Sequence, residues 1–410
     1  MFIYFLFIRL AALFGHRKAR LMVEGQKDIK KAVSDQLSAF KGAIWIHVSS
    51  VGEFEQARPL IEQLKIQNSK FKIILTFFSP SGYELRKNYD KVDAVYYLPF
   101  ATRRNAKRFL DALQPSKAIF VKYEFWPAYL RELKKRNIST YNISAIFREK
   151  QLFFRPWGKW YLNLLRCFTH IFVQDGPSRA LLAKHGITNV SVTGDTRFDR
   201  VKAVMENGLG VNNERLAPIQ AFTAGCERVI VAGSTWPKDE ELLVQYLNNQ
   251  QSEIDNQTKL ILVPHEIDEE HLHFIFNLFQ GRFVRYSRAT QTSLIHADVM
   301  VIDTIGLLSS IYRFGQVAYI GGGFGVGIHN TIEAAVYGVP VIFGPNYQHF
   351  REAKGLIAAG GARSVRNYDE LEAAFNTALE QHETIGAKAA EYVESELGAT
   401  EKIYREIFDI

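Results

Sequence analysis

Short apolar runs alternate with amphipathic stretches along almost the whole chain. In the first half they cover Ala43–Val48, Lys72–Phe77, Lys117–Val121, Thr140–Ser144, His170–Val173 and Ser191–Thr193. In the second half they cover Arg228–Ala232, Lys259–Val263, Asp298–Ile302, Val317–Ile320 and Val339–Phe343. Several show no apolar–polar alternation, as expected of strands buried on both faces of a parallel sheet. Between the first two runs, Phe54, Ala57, Ile61 and Leu64 recur at helical spacing and mark one apolar helix face. Repeated strand–helix units of this kind predict an α/β chain with a doubly wound sheet in each half.

A chain of 410 residues is too long for one ordinary domain and suits two. The best break is the stretch Met205–Cys226, with Glu-Asn-Gly, Gly-Val-Asn-Asn, Pro218 and Gly225, after which a new strand begins at Arg228. The expected division is a membrane-associated segment at 1–20, a Rossmann-like domain at 21–205, a linker at 206–226 and a second Rossmann-like domain at 227–410. The last helix is a candidate to pack back on the first domain. Two such domains are expected to face each other across a cleft lined by loops at the carboxyl ends of strands.

The N-terminus changes the picture. MFIYFLFIRLAALF is almost wholly apolar, and the cations Arg17, Lys18 and Arg20 follow it. As a helix the run spans about 21 Å, short of the roughly 30 Å of a bilayer core, and Arg9 interrupts it. Charge after the apolar run is the reverse of a secretory signal. An interfacial anchor fits, with aromatics among acyl chains and cations on anionic headgroups. A helix packed on the protein's own core fits too, and the two are compatible. The net charge of +7 comes with no helix-turn-helix, zinc-finger or RNP signature, so an anionic membrane surface or phosphorylated substrate is expected rather than nucleic acid. The two cysteines, Cys167 and Cys226, have no CxxC or histidine partner, which argues for a reducing compartment and against a structural zinc.

The strongest local signal is Ile320-Gly-Gly-Gly-Phe-Gly-Val-Gly-Ile-His-Asn-Thr-Ile-Glu-Ala-Ala335. An apolar strand enters a glycine loop and then a helix expected to open near His329–Asn330. Missing Cβ atoms and free N–H groups there suit a phosphate, and Glu333 suits ribose hydroxyls. The pattern is not GxGxxG with a dinucleotide-spaced acid. A plain glycine turn, with Glu333 compensating the helix dipole, is the bland alternative. The loop Gly233-Ser234-Thr235 fits equally a helix cap or a ligand contact. Pro264-His265 and Asp303–Gly306 end two further strands. In the first half His47-Val48-Ser49-Ser50-Val51-Gly52-Glu53 and Tyr123-Glu124-Phe125-Trp126-Pro127 each end a strand with an acid. Either acid fits a helix cap, and a pair at equivalent strand ends also fits a general base. No metal-ligand clustering is visible.

These pieces in this order resemble the Kdo (3-deoxy-D-manno-octulosonic acid) transferase family. HVSSVGE at 47–53, YEFWP at 123–127, TGDTRFD at 193–199, AGSTWPKDEE at 232–241 and GIHNTIEAA through GP at 327–345 carry the resemblance. It runs from the N-terminal segment to about Lys354 and implies a GT-B fold. The activity it implies is inverting transfer of Kdo from CMP-Kdo to a lipid A precursor (lipid IVA). The implied place is the cytoplasmic face of a Gram-negative inner membrane. By the resemblance Glu53 is the base, Glu124 a second essential acid on the acceptor side, and Arg197 a cationic contact to donor or leaving phosphate. Gly233, Ser234, Thr235, Pro264, His265, Gly306, Leu307, Leu308, Asn330, Thr331, Ile332 and Glu333 fall on the donor side. Many relatives have arginine at position 265 and an acid at 307, where this chain has His265 and Leu307. A single-phosphate leaving group can be stabilised by a helix N-terminus and one or two cations, so no cofactor or metal is expected. The alternatives are another GT-B enzyme, such as a UDP-sugar transferase or UDP-sugar 2-epimerase, or an inactive membrane-tethered sugar-nucleotide-binding protein.

Overall fold

A computed structural model describes residues 2–208, 214–250, 258–280 and 283–408. The chain divides into two compact units, Met1–Arg200 with Leu397–Ile410, and Val201–Glu396. The break therefore falls ahead of the stretch read as a linker. Within that stretch the helix Ala217–Thr223 buries Ile219 and Phe222 and belongs to the second unit.

The first unit is built on seven parallel strands: β1 (Ile44–Val48), β2 (Ile73–Phe77), β3 (Ala94–Tyr97), β4 (Lys117–Val121), β5 (Ser139–Ala145), β6 (His170–Val173) and β7 (Val190–Val192). Their order is β3-β2-β1-β4-β5-β6-β7, so the direction of winding switches between β1 and β4. Every residue of β1 and β2 is buried, which explains their continuous apolar runs. Helix α1 (Phe2–Leu13) and helix α2 (Arg17–Asp35) precede the sheet. Among the described residues no helix is long and apolar enough to cross a membrane. Helix α3 (Val51–Gln67) follows β1 and packs Phe54, Ala57, Leu60, Ile61 and Leu64 against the sheet. The C-terminal helix Ala399–Phe408 returns to this unit and buries Ile403, Tyr404 and Ile407 in the same cluster. Asp199 fixes its start by accepting hydrogen bonds from Gly398 N and Thr400 N, both at 2.7 Å.

The second unit has β8 (Val229–Thr235), β9 (Lys259–Pro264), β10 (Phe283–Arg285), β11 (Val299–Val301), β12 (Val317–Ile320), β13 (Val341–Phe343) and β14 (Ala362–Ser364). Its order is β10-β11-β9-β8-β12-β13-β14, with the switch between β8 and β12. In an open parallel sheet a ligand crevice forms outside the carboxyl ends of the strands at such a switch.

The pattern of strained backbone agrees with that rule. Among the described residues, six non-glycine positions have left-handed backbone angles. Gln114, Asn137 and Gln280 sit at helix ends, where such angles are ordinary. Lys122, Ser144 and Ser234 instead sit at the carboxyl ends of β4, β5 and β8. Each costs about 1–3 kcal/mol, and strain of this kind collects at functional sites.

Candidate active site

In the first unit both strand-end acids lie at the switch. Ser50 caps α3 and Glu53 closes the capping box: Glu53 N–H donates to Ser50 Oγ at 3.4 Å, and Glu53 reaches back to the cap. Glu53 Oε2 accepts from Ser49 N and Ser50 N at 2.8 Å each and from Ser50 Oγ at 3.1 Å. All three bonds fall on Oε2, which leaves Oε1 to meet a substrate proton.

Three donors and a helix start should hold a carboxylate acidic. The opposite happens: burial, and then the neighbouring Glu124 charge, push the Glu53 carboxyl above its ordinary value despite the Ser49 and Ser50 bonds. Glu124 goes the other way. Burial pushes it up, but hydrogen bonds from His47, Ser49 and Trp126 outweigh burial and hold it below its ordinary value. His47 Nε2 lies 3.1 Å from Glu124 Oε2, and Trp126 Nε1 donates to the same oxygen at 2.5 Å. The His47 ring is buried and clamped from the other side, its Nδ1 being 2.9 Å from Thr76 Oγ1. Trp45 Nε1 donates to that same hydroxyl at 2.8 Å. Two carboxyls whose environments drive them apart in acidity can divide the labour, one taking a proton and one remaining charged.

Arg197 is fixed by its neighbour. Its Nε and Nη2 lie 2.9 and 2.7 Å from Asp195 Oδ2, a two-point clamp. Burial pushes the Asp195 carboxyl up, but Arg197 beside it outweighs burial and holds its pKa below the ordinary value. Gln56, on α3 one turn after Glu53, donates to Asp195 Oδ1 at 3.2 Å and ties the start of the arginine's helix, Thr196–Gly208, to the helix that carries Glu53.

In the second unit the glycine loop has a different explanation from the one its sequence suggests. A Cβ on Gly321 would lie 2.3 Å from Ser234 O, and one on Gly323 would lie 2.5 Å from Gly344 Cα. Gly322 and Gly327 have φ of +89° and +121°. Of the five glycines, only Gly325 is uncrowded, a Cβ there meeting nothing nearer than Gly322 O at 3.9 Å, so the loop is glycine-rich because three strand ends are packed backbone to backbone. The helix expected from His329 begins later, at Ile332, and is a single turn, Ile332–Ala335. Glu333 lies in that turn and accepts from Asn330 Nδ2 at 2.8 Å. Ile332 is buried, and Thr331 is buried with its hydroxyl unpaired among the described residues.

The other donor-side positions divide. Gly233 packs against Tyr312 and Leu308, and Thr235 is buried, donating its hydroxyl to Glu240 Oε1 at 2.8 Å. Their side chains are thus engaged inside the unit, and Ser234 stands half-buried between them. Pro264 and Leu307 are buried, Leu308 is half-buried, and Gly306 is exposed with φ +89°.

His265 joins an aromatic stack with residues from two other strand ends. Its ring lies 4.8 Å from Trp236 and 4.4 Å from His329, near parallel to both. Trp236 Nε1, which can only donate, lies 3.3 Å from His329 Nε2, so that nitrogen carries a lone pair. Burial and the neighbouring His265 push His329 down to about 4. Asp239 is the strut beneath them, its Oδ2 accepting from Trp236 N and Gly322 N at 2.9 Å each and its Oδ1 from Tyr319 Oη at 2.7 Å. His47, Trp126, Asp195, Trp236, Asp239 and His329 all lie inside the motifs quoted above. Their spacing alone gave no sign of their partners.

Residues 15–200, nearly all of the first unit, match the sequence profile of the family described as 3-Deoxy-D-manno-octulosonic-acid transferase (kdotransferase). The chain carries that family's profile over its first unit. It is a glycosyltransferase. The 3-deoxy-D-manno-octulosonic acid transferase of Rickettsia typhi is 25% identical over 381 residues, covering 91% of this chain and 78% of that protein. That of Aquifex aeolicus is 26% identical over 343 residues, covering 82% and 86%. Among solved structures, UDP-GlcNAc 2-epimerase from Neisseria meningitidis aligns with a TM-score of 0.64 at 16% identity, covering 90% of this chain and all of that one. That likeness concerns the fold alone and agrees with a GT-B-like pair of parallel-sheet domains.

Proposed function

We propose that this protein is an inverting transferase that moves Kdo from CMP-Kdo to a lipid A precursor, lipid IVA, in lipopolysaccharide synthesis. The observation that carries the proposal is the Glu53–Glu124 pair at the switch of the first sheet, one acid raised and the other lowered. The acceptor hydroxyl must lose a proton as it attacks the anomeric carbon, and Glu53 Oε1 takes it. The C–O bond to the CMP phosphate breaks as the new glycosidic bond forms, and CMP leaves with the electron pair. Glu124 stays ionised beside the base and stabilises positive charge developing on the sugar. Arg197, clamped by Asp195, presents a cation to donor or leaving phosphate. In the second unit Asn330 and Glu333 take the ribose and base of CMP, beside the stack of Trp236, His265 and His329. No metal or cofactor enters this scheme. The apolar α1 and its basic flank support attachment to the cytoplasmic face of the inner membrane.

The direct test incubates the protein with CMP-Kdo and lipid IVA in excess chelator and weighs the lipid by mass spectrometry. Addition of Kdo is expected. Activity that appears only when Mg²⁺ is restored would count against the metal-free scheme. Transfer from a UDP-sugar in place of CMP-Kdo would replace the donor assignment.

The donor side has its own check. Asn330→Ala and Glu333→Ala are expected to weaken CMP binding about ten- to a hundredfold, since a hydrogen bond to a charged group is worth about 1.5–3 kcal/mol. Because Asn330 orients Glu333, the double variant should lose less than the product of the two single losses. Calorimetry with CMP reads both effects, and unchanged affinity in both single variants would remove this pair from the donor site.

A further inference from the structure

One cavity of the first unit lies away from both catalytic acids. It is a groove of about 1370 Å³ between the α1–α2 pair and the helix Arg103–Leu113. Pockets for drug-sized ligands hold about 300–1000 Å³, so it has room for a ligand larger than a sugar nucleotide. Its floor is apolar, from Val23, Ile29, Val33, Pro99, Phe100 and Ala112. Its walls carry six cations, Arg9, Arg20, Lys27, Lys30, Lys41 and Arg108, against two acids, Glu24 and Asp111. On α2 the lining positions Arg20, Val23, Lys27, Lys30 and Ser34 recur every three or four residues, so the groove follows that helix for about 21 Å. Beside it, α1 and the turn after it expose Phe7, Leu13 and Phe14. A long apolar channel with cationic walls fits an amphiphile that carries both acyl chain and phosphate.

Its direction identifies which amphiphile. Pro99, Phe100 and Thr102 follow the carboxyl end of β3, so the groove opens on the edge of the sheet that carries Glu53 and Glu124. β3 stands two strands from β1, a separation of about 10 Å. An apolar path joins them: Phe78 packs on the cluster of Met22, Ile29 and Phe100, and its ring meets that of Trp126, which donates to Glu124, at 4.7 Å and a tilt of 48°. A lipid seated in the groove therefore presents its sugar toward the base.

We propose that this groove is an acyl-chain site for the lipid acceptor, with its cationic walls pairing that lipid's phosphates. This rests on the acceptor reading above. Val23 and Ala112 are half-buried helix positions, where a tryptophan can fill the channel. Val23→Trp and Ala112→Trp are compared with wild type on lipid IVA and on chemically deacylated lipid IVA. Each methylene withdrawn from apolar surroundings costs roughly fourfold in affinity. The ratio of kcat/KM for acylated over deacylated acceptor should therefore fall at least about tenfold, mostly through KM. Lys27→Glu with Lys30→Glu, both on exposed positions, should raise KM for lipid IVA and steepen its dependence on salt less than wild type shows. An unchanged ratio in both tryptophan variants, or an equal fall on both acceptors, overturns the groove assignment.

Direct binding keeps this test apart from the function proposal. If wild type transfers Kdo to neither acceptor, the function proposal fails, and binding of detergent-dispersed lipid IVA is measured instead. Tighter binding to wild type than to Val23→Trp supports the groove, and equal binding overturns it. Anionic phospholipid vesicles that compete as well as lipid IVA would assign the groove to bilayer lipid and overturn the acceptor assignment.

Discussion

Glu53→Gln is expected to lower turnover by about 10²–10⁴-fold while CMP affinity stays within a factor of two or so of wild type. The range is what a positioned general base contributes. The substitution is clean because glutamine at this helical position can still reach back to the Ser50 backbone and keep the capping box. Stability gives an independent control. The Glu53 carboxyl is raised in the folded protein, so its favourable contribution to folding is fully present below its unfolded pKa and is lost as the pH rises through the folded one. At neutral pH its charge therefore opposes folding, and Glu53→Gln should melt no lower than wild type. A variant that is inactive yet at least as stable identifies a group held at the expense of the fold, as active-site groups often are. An inactive variant that melts well below wild type would return Glu53 to the role of a helix cap. Retained activity in Glu53→Gln together with lost activity in Glu124→Gln would exchange the two roles.

How much of this was legible depends on burial. The central strands were readable because both faces are covered, so their residues are apolar without interruption; β1 and β9 are buried at every position. The three strands passed over, β3, β10 and β14, are edge strands of three or four residues with part of each open to solvent; β3 is apolar but short, whereas β10 and β14 include polar residues. Solvent on one side permits polar residues and erases the signal. The break between units was read from turn-formers around Pro218, yet the chain crosses over at Arg200 inside the helix Thr196–Gly208, where no turn residue marks it.

Site residues were legible where local chemistry betrayed them. Glu53 and Glu124 stood out as acids at strand ends. The residues that set their acidity did not, because His47 and Glu124 are 77 positions apart and meet only when β1 pairs with β4. The glycine loop misled for the same reason: three strand ends crowd its backbone, and no local pattern records that crowding. The stack of Trp236, His265 and His329 gathers three strand ends in the same way, and it gives His265 a setting quite unlike that of a lone surface histidine.

Coupling between the two acids gives the second large effect, read as a pH profile. Glu53 works as a base only when deprotonated, so kcat/KM should rise with pH through its folded pKa, on the alkaline side of an ordinary glutamate. Glu124→Gln removes the neighbouring negative charge, one of the two causes that raise Glu53. The amide oxygen can still accept from His47 Nε2 and Trp126 Nε1, so the ring clamp survives. The acid limb of the profile is therefore expected to move to lower pH. It should not return to the ordinary glutamate position, because burial, the larger cause, is unchanged. On the plateau, where Glu53 is fully ionised in both proteins, turnover should still fall about 10²-fold, since a preorganised charge facing the transition state is worth about 3 kcal/mol. The two readouts separate two roles of one carboxylate: the limb reports its effect on the base, and the plateau reports its effect on the reacting sugar. A limb that stays in place or moves to higher pH would mean that the acids are not coupled, and the division of labour between them would fail. A limb that moves while the plateau holds would keep Glu124 as a positioning residue and remove it from the transition state.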